Sequence, residues 1–189
     1  MPAPPKPLRA DAARNRAKLL DAAAEVFGAR GLDAPLEHIA KRAGVSIGTL
    51  YAHFPTRDAL FDAIFPERLA ALDRVAADAL ADPDPWRGFV TFLEGVFTLQ
   101  AEDRGLNDAI SRRVPLSGAM ESVCTRGVGH ADKIIARARE AGRLRADFTV
   151  ADLAVLTSAV SQVIRTAPQG WRRFLRLHLD GVRRGAPDQ

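Results

Sequence analysis

Two prolines and the glycine between them create two segments that are long enough for only a brief helix each. Pro35 suits the first turn of a helix, where its missing amide proton is not needed. Gly44 can adopt the left-handed conformation that ends a helix, and Ser46 can cap the next one. Pro55 ends that next segment within about eight residues, because proline interrupts helical hydrogen bonding. The spacing predicts a helix near Leu36 to Ala43, a tight turn and a shorter third helix, which is a helix-turn-helix.

The rest of the chain also favours helices. Alanine, leucine and arginine dominate, and no segment alternates apolar and polar residues for long enough to predict a strand. Pro66 should kink or break its helix, because it removes a backbone donor and clashes with a carbonyl. The sequence predicts an all-α fold of about nine helices. The helices outside the helix-turn-helix are expected at Ala13 to Ala29, from Thr56 onward, and at Trp86 to Ala101, Leu106 to Arg113, Ser117 to Ala141, Thr149 to Ala167 and Gln169 to Arg184.

Three units are predicted along the chain. Residues 1–12 are expected to form a flexible arm, since the first ten residues include four prolines. Residues 13–57 are expected to hold the first predicted helix and the helix-turn-helix. Residues 58–185 are expected to form a larger helical domain, with the segment ADPDP at 81–85 as a linker between its helices.

Positive charge is concentrated at the start of the chain. The net charge of +4 permits an acidic polymer as a partner without requiring one. The first eighteen residues hold one acid, Asp11, and five bases: Lys6, Arg9, Arg14, Arg16 and Lys18. The last three bases fall near the start of the first predicted helix, where the helix dipole disfavours cations. Folding alone gives no reason for that placement, whereas a bound phosphate would.

Cysteine content and hydropathy predict a cytoplasmic protein. Cys124 is the sole cysteine, which excludes an intramolecular disulfide and suits a reducing compartment. The longest uncharged apolar stretch near the C-terminus, Leu153 to Ile164, has 12 residues, whereas a helix needs about 20 to span a bilayer. The N-terminal MPAPPKPLRA lacks the apolar middle of a signal peptide.

The third predicted helix carries polar groups on the side away from its apolar residues. At 100° per residue, Ile47, Leu50 and Phe54 share one arc, while Thr49 and His53 fall on the opposite side. Tyr51, the chain's only tyrosine, lies at the margin between the two. The pattern predicts a surface that displays a hydroxyl, a phenol and an imidazole outward, and Arg57 stands at the next helix start, where free amides also attract phosphate.

The segment EHIAKRAGVSIGTLYAHFPTRDALF, residues 37–61, resembles the DNA-binding signature of the TetR family of transcriptional regulators, roughly IAxxAGVSxGTLYxHFxxKxxL. Residues 13–65 match that family throughout. The remainder resembles it in helix count, in length and in the phrase AGRLRADFTVADLA at 141–154. The resemblance implies an N-terminal three-helix bundle that binds DNA, over residues 13–57, and a larger helical domain that binds a ligand and dimerises.

By position, the resemblance also implies DNA contacts from the third helix. Ser46, Thr49 and His53 would bind phosphates, and Tyr51 would contact a base or a phosphate. These four residues come from a single stretch, residues 46–53, so one short helix would carry most of the interface.

Four further residues complete the implied interface. Ile47 and Gly48 would face base edges at the start of the third helix. Arg57 stands where the family usually has a phosphate-binding lysine, and Arg14 is expected to contact phosphate from the first helix.

The chain departs from the family pattern in two places. Relatives often carry threonine near the start of the second helix, where this chain has Ala34, Pro35 and Leu36. Ile47 and Ala52 are apolar where relatives can carry hydrogen-bonding or aromatic groups. Base recognition is therefore expected to depend on van der Waals contact and DNA shape more than on hydrogen bonds.

No catalytic or metal constellation is predicted. His38, His130 and His178 lack the spacing of metal ligands, and no serine or cysteine has a base at a recognisable distance. The glycines of RGVGHA follow no strand, which excludes a dinucleotide fingerprint. Large apolar residues of the middle helices suit an effector site, although ordinary core explains most of them. The predicted effector contacts are Trp86, Phe89, Phe92, Phe97, Met120, Cys124 and Ile134.

The function predicted from these features is a homodimeric repressor that leaves a palindromic operator when a small molecule binds. Its last two helices would pair with their symmetry mates as a four-helix bundle. Two third helices would then enter successive major grooves, roughly 34 Å apart or somewhat more. Two alternatives stay open: a small-molecule carrier or enzyme with an incidental DNA-binding module, and an architectural DNA-binding protein without an effector. The absence of any acid–base or metal pattern counts against the enzyme.

Overall fold

The computed structural model describes residues 7–112 and 118–184, and within these ranges the chain forms nine α-helices. An isolated antiparallel bridge between Leu144 and Arg183 ties the connection before the eighth helix to the end of the ninth. The all-α prediction is confirmed. The helices are α1 (Pro7–Arg30), α2 (Leu36–Ala43), α3 (Ile47–His53), α4 (Arg57–Ala81), α5 (Pro85–Glu102), α6 (Arg104–Arg112), α7 (Gly118–Glu140), α8 (Val150–Thr166) and α9 (Trp171–Val182).

The first helix begins six residues earlier than predicted. Residues 7–12, expected to belong to a flexible arm, are the start of α1, so the arm prediction is wrong for this part. Three of the four prolines behind that prediction precede Pro7, and a proline in the first helical turn costs nothing in hydrogen bonding. The alanines that follow favour helix strongly.

The predicted break at Pro66 is also wrong, since α4 runs without interruption through it. The Pro66 ring is exposed to solvent. A proline inside a helix costs about 3 kcal/mol, but each large apolar side chain that becomes buried contributes roughly 1.5–3 kcal/mol. Five such side chains flank the proline and outweigh it: Leu60, Phe61, Ile64, Phe65 and Leu69.

Two apolar cores share α4. The first core joins α1, α2 and α3 to the first half of α4, as far as Leu69, and it also takes in Leu106 from α6. The second core joins the last turns of α4, from Ala76, to α5, α7, α8 and α9. Because α4 enters both cores, it connects them through a single continuous helix. The first core extends beyond residue 57, the predicted end of the N-terminal bundle.

Candidate nucleic-acid interface and effector cleft

The turn between α2 and α3 depends on a left-handed glycine. Gly44 has φ +68°, and its amide donates to the carbonyl of Lys41 at 3.2 Å. The Val45 amide donates to the carbonyl of Ala40 at 3.0 Å. A Cβ at position 44 would meet nothing within 4 Å. The glycine is therefore required by the backbone conformation and not by lack of space.

The start of α3 is held by its own side chains. The Ser46 hydroxyl accepts from the Thr49 amide at 3.1 Å, and the two hydroxyl oxygens of these residues lie 2.9 Å apart. Leu50 is fully buried in the first core, and Phe54 is almost fully buried at the end of the helix. The capping bond and this apolar side fix the orientation of a helix that has only seven residues.

Tyr51 is the most prominent group on the outer side of α3. Its side chain is 48% exposed, and Gly48 and Ala52 beside it are exposed as well. Thr49 and His53 are half-buried, although the helical wheel put them opposite the core and Tyr51 at the margin. A wheel gives angles around one helix but not how far neighbouring helices wrap around its flanks. Ile47 is half-buried against the first core.

Arg57 has a structural task that the sequence did not show. Its Nη1 donates to the carbonyls of Leu32 and Ala34, at 2.6 and 2.8 Å. The guanidinium carbon lies 5.9 Å from the centroid of the Phe27 ring. Arg57 thereby fixes the connection between α1 and α2, so the predicted phosphate contact falls on a side chain that already holds the fold.

Basic side chains of α1 and α2 are also exposed at this end of the molecule. The Arg16 guanidinium carbon lies 5.3 Å from the Phe54 ring centroid, next to the end of α3. Arg14 forms an exposed ion pair with Asp11, and Arg42 forms one with Glu25 at 2.6 Å. Exposed pairs of this kind contribute little to stability, so these cations can exchange a carboxylate for a phosphate at small cost.

Two links, one buried and one partly buried, connect α6 and the residue before it to the DNA-binding end of the molecule. The carboxylate of Asp108, on α6, accepts from the backbone amide of Leu32 at 2.9 Å. Asp103, just before α6, forms an ion pair with Arg68 of α4, and Arg68 also donates to the carbonyl of Ala24 at 2.8 Å. Any displacement of α6 must therefore strain contacts with both α1 and α4.

An apolar cleft of about 300 Å³ lies between α4, α5, α7 and α8, and α6 adds one residue to its wall. Two of its polar wall residues are already bonded to their own helix, since Thr157 donates to the carbonyl of Leu153 and Ser158 to that of Ala154. Asp73 is the charged member of the wall, with Arg126 and His130 nitrogens 3.8 and 3.9 Å away. The lining residues are Leu69, Leu72, Asp73, Ala76, Phe92, Val96, Ile110, Gly127, Val128, Ala131, Val150, Leu153, Ala154, Thr157 and Ser158.

Of the predicted effector contacts, Phe92 lines this cleft. Phe89, Phe97 and Ile134 are enclosed in the second core instead. Trp86 packs against Phe89, with the Arg183 guanidinium carbon 5.4 Å from its ring centroid. Large apolar side chains fill the space between helices where they pack best, so residue type alone did not locate the opening. The side chains of Met120 and Cys124 lie outside the described part of the molecule.

Two absences apply to the described ranges 7–112 and 118–184. No three histidine, cysteine or acidic residues whose side chains the structure describes lie close enough together to hold a metal ion. In the same ranges, every helix is too short or too polar to traverse a lipid bilayer.

A short outward-facing helix after a glycine turn, mounted on a helical domain with an apolar cleft, defines the class of helix-turn-helix DNA-binding regulators. Residues 19–64 match the model of the bacterial regulatory proteins of the tetR family, and residues 84–184 match that of the SbtR-like transcriptional regulator C-terminal domain. The chain belongs to the TetR family of transcriptional regulators.

Individual relatives agree with this assignment. A TetR transcription regulatory protein from Mycobacterium vanbaalenii is 35% identical, with a TM-score of 0.54 over 94% of this chain and 100% of that one. A TetR transcriptional regulator from Streptomyces coelicolor is 31% identical, with a TM-score of 0.59 over 90% of this chain and 99% of that one. The HTH-type transcriptional regulator TtgW of Pseudomonas putida is 34% identical over 95 residues, which are 49% of this chain and 71% of TtgW.

Proposed function

We propose that this regulator is a homodimeric repressor that binds a palindromic operator and leaves it when a small molecule occupies the domain formed by α5–α9. The observation that carries the proposal is the exposed outer side of α3, where Tyr51 projects from a helix whose opposite side is locked into the core. A rigid helix with an exposed phenol and flanking cations has the form that enters a major groove. Ser46, Thr49, His53 and Arg14 would contact the phosphates around it.

Exposed apolar groups on α8 and α9 support the dimer. Val155 of α8 is 71% exposed and Leu177 of α9 is 59% exposed, and Phe174 is partly exposed beside it. Ala151 extends the exposed side of α8 with a small side chain, which allows a second helix to approach closely. Two copies of this face would form a four-helix bundle about a two-fold axis.

Effector control would act through α4 and α6. The cleft is lined by Leu69, Leu72 and Asp73 of α4 and by Ile110 of α6, and both helices also contact the DNA-binding end through Arg68 and Asp108. A molecule that changed their spacing would change the separation of the two α3 helices in the dimer. Coupling of this kind is typically about 1–3 kcal/mol, which is a 5- to 150-fold change in affinity.

Selection of bound fragments from random DNA tests the proposal. The expected product is a single palindrome bound at nanomolar affinity, whereas equal affinity for all sequences would instead support an architectural protein. If each subunit neutralises about four phosphates, log affinity should fall with log salt at a slope near −7. Screening small molecules for release of that palindrome then tests the effector part of the proposal.

Tyr51→Ala examines the interface itself. Loss of one base contact should lower operator affinity by about 10- to 100-fold, with an unchanged melting temperature because Tyr51 is exposed. Arg139→Ala, an exposed change on α7 far from α3, is the matched control and should keep parental affinity. Parental affinity in the Tyr51 variant would contradict the proposed interface.

A further inference from the structure

Three polar side chains are enclosed where α5, α6 and α8 meet. Gln100, Asn107 and Ser161 are 0%, 4% and 1% exposed. The Ser161 hydroxyl donates to Gln100 Oε1 at 2.7 Å, and Asn107 Nδ2 donates to the Ser161 carbonyl at 3.2 Å. We refer to these three residues as the buried polar cluster.

Two atoms of the buried polar cluster are left without a partner among the described residues. They are Gln100 Nε2, a donor, and Asn107 Oδ1, an acceptor. The orientation of the Asn107 amide is determined by its neighbour, since a carbonyl oxygen such as that of Ser161 can only accept. Buried polar groups in folded proteins are nearly always paired. With Gln100 Oε1 accepting from Ser161, one group that both accepts and donates would satisfy the two open atoms.

The buried polar cluster lies one helical turn beyond the cleft. On α5, Val96 lines the cleft and Gln100 follows it by four residues, and on α8 Thr157 lines the cleft and Ser161 follows it by four. One turn of helix is about 5.4 Å. The three cluster residues are not themselves part of the cleft wall, so they lie behind its end.

On α6, too, a residue of the buried polar cluster lies about one helical turn from a residue of the cleft wall. Ile110 lines the cleft, and Asn107 lies three residues before it on the same side of α6. Asp108, the next residue, accepts from the Leu32 amide and thereby joins α6 to the DNA-binding end. A group bound by Asn107 would therefore press on the helix that is linked to α1.

We infer that the buried polar cluster receives the head group of the effector, and that the effector is a neutral, mainly apolar molecule with one hydroxyl or primary amide. This inference rests on the proposed function. A hydroxyl or a primary amide offers both an acceptor for Gln100 Nε2 and a donor for Asn107 Oδ1. A ketone or ester can only accept, and a carboxylate would bring negative charge against the Asn107 oxygen. The apolar cleft would hold the remainder of the molecule.

The test compares 1-octanol with 2-octanone, two probes of equal chain length, by isothermal titration of the full chain without DNA. The parent protein should bind 1-octanol more tightly than 2-octanone by about five- to tenfold, the value of one added hydrogen bond. Asn107→Leu removes the acceptor and should reduce this ratio to about one, through a loss of 1-octanol affinity alone. Octanoate should bind the parent more weakly than 1-octanol.

Thr157→Val is the matched control, because it removes a hydroxyl from the cleft wall that is already bonded to Leu153. It should keep the parental ratio. If Asn107→Leu does not fold, Gln100→Met removes the donor and should weaken both probes, since the alcohol and the ketone both accept from it.

Measurements on the parent protein alone can overturn the inference. Equal affinity for the two probes, or binding of neither, would overturn the inference and leave the cluster to water. Operator binding by the parent without probe is measured beside these titrations, and it should persist in Asn107→Leu. A parent that lacks the probe preference but binds its operator would refute the head-group site alone, whereas absence of any operator would refute the proposed function.

Discussion

The DNA-binding end and the cleft are built in different ways. In the former, Gly44, Ser46 and Thr56 act on residues only three or four positions away, through a left-handed turn and two capping bonds. The cleft instead draws its wall from five helices, and the buried polar cluster behind it joins residues 54 and 61 positions apart. A short contiguous segment therefore specifies the turn and the caps that shape the DNA-binding surface, whereas a cleft of this kind depends on the packing of the whole domain.

The largest expected loss of stability at the DNA-binding end follows from removing the side chain that anchors α3. Leu50→Ala should lower the free energy of unfolding by about 3 kcal/mol, since a fully buried leucine leaves a cavity. Urea denaturation measures the loss. Lys41→Ala, an exposed change on α2, should stay within about 0.5 kcal/mol of the parent. A Leu50 loss below about 1 kcal/mol would show that α3 is not anchored as described.

Arg57→Met tests whether long-range contacts also support this end. The change keeps much of the length of the side chain but removes both bonds to the Leu32 and Ala34 carbonyls, which should cost about 2 kcal/mol. The melting temperature and the operator affinity should both fall, whereas Tyr51→Ala should lower the operator affinity alone. A variant with parental stability and weakened DNA binding would assign Arg57 to phosphate contact alone.

One substitution at two glycines separates local strain from helix propensity. Gly44→Ala should destabilise the protein by about 1–2 kcal/mol, because its φ of +68° is unfavourable for any side chain. Gly129→Ala, in the middle of α7 with nothing within 4 Å of the added carbon, should stabilise by up to about 1 kcal/mol. The same sign in both variants, measured by thermal melting, would contradict this reasoning.

The smallest expected effect is a pH dependence in the second core. His178 packs against Phe148, and burial lowers its pKa, with Asp152 opposing in part. Since the folded state binds this proton less readily than the unfolded state, the contribution is present above about pH 6.5 and is lost as the pH falls through the folded pKa. The melting temperature of the parent should fall slightly more between pH 7 and pH 5 than that of His178→Phe. Parallel pH profiles would refute the assignment to His178.

Much of the fold could be predicted from sequence because its signals are local. The all-α class, the glycine turn and the Ser46 cap were predicted and are present. The errors arose where packing outweighed a local rule. Pro66 stays within α4 because the side chains around it are buried, and the residues before Ala13 continue α1.

The predicted effector contacts show more clearly what could not be predicted from the sequence. Phe89, Phe97 and Ile134 suit an apolar ligand by type, yet they fill the second core, while small residues such as Ala131 and Ala154 leave the opening. The buried polar cluster carried no sequence signal, since Gln100, Asn107 and Ser161 are ordinary polar residues until three helices enclose them.

The sequence by itself determined the helices, the turn that orients α3 and the family, because each depends on backbone preferences and spacing within about twenty residues. Only the tertiary structure decided that Arg57 holds a loop, that the cleft lies among helices α4 to α8, and that two amide atoms behind it have no partner among the described residues. The physical reason is that cavities and unpaired atoms are properties of the space between helices, which no single segment specifies.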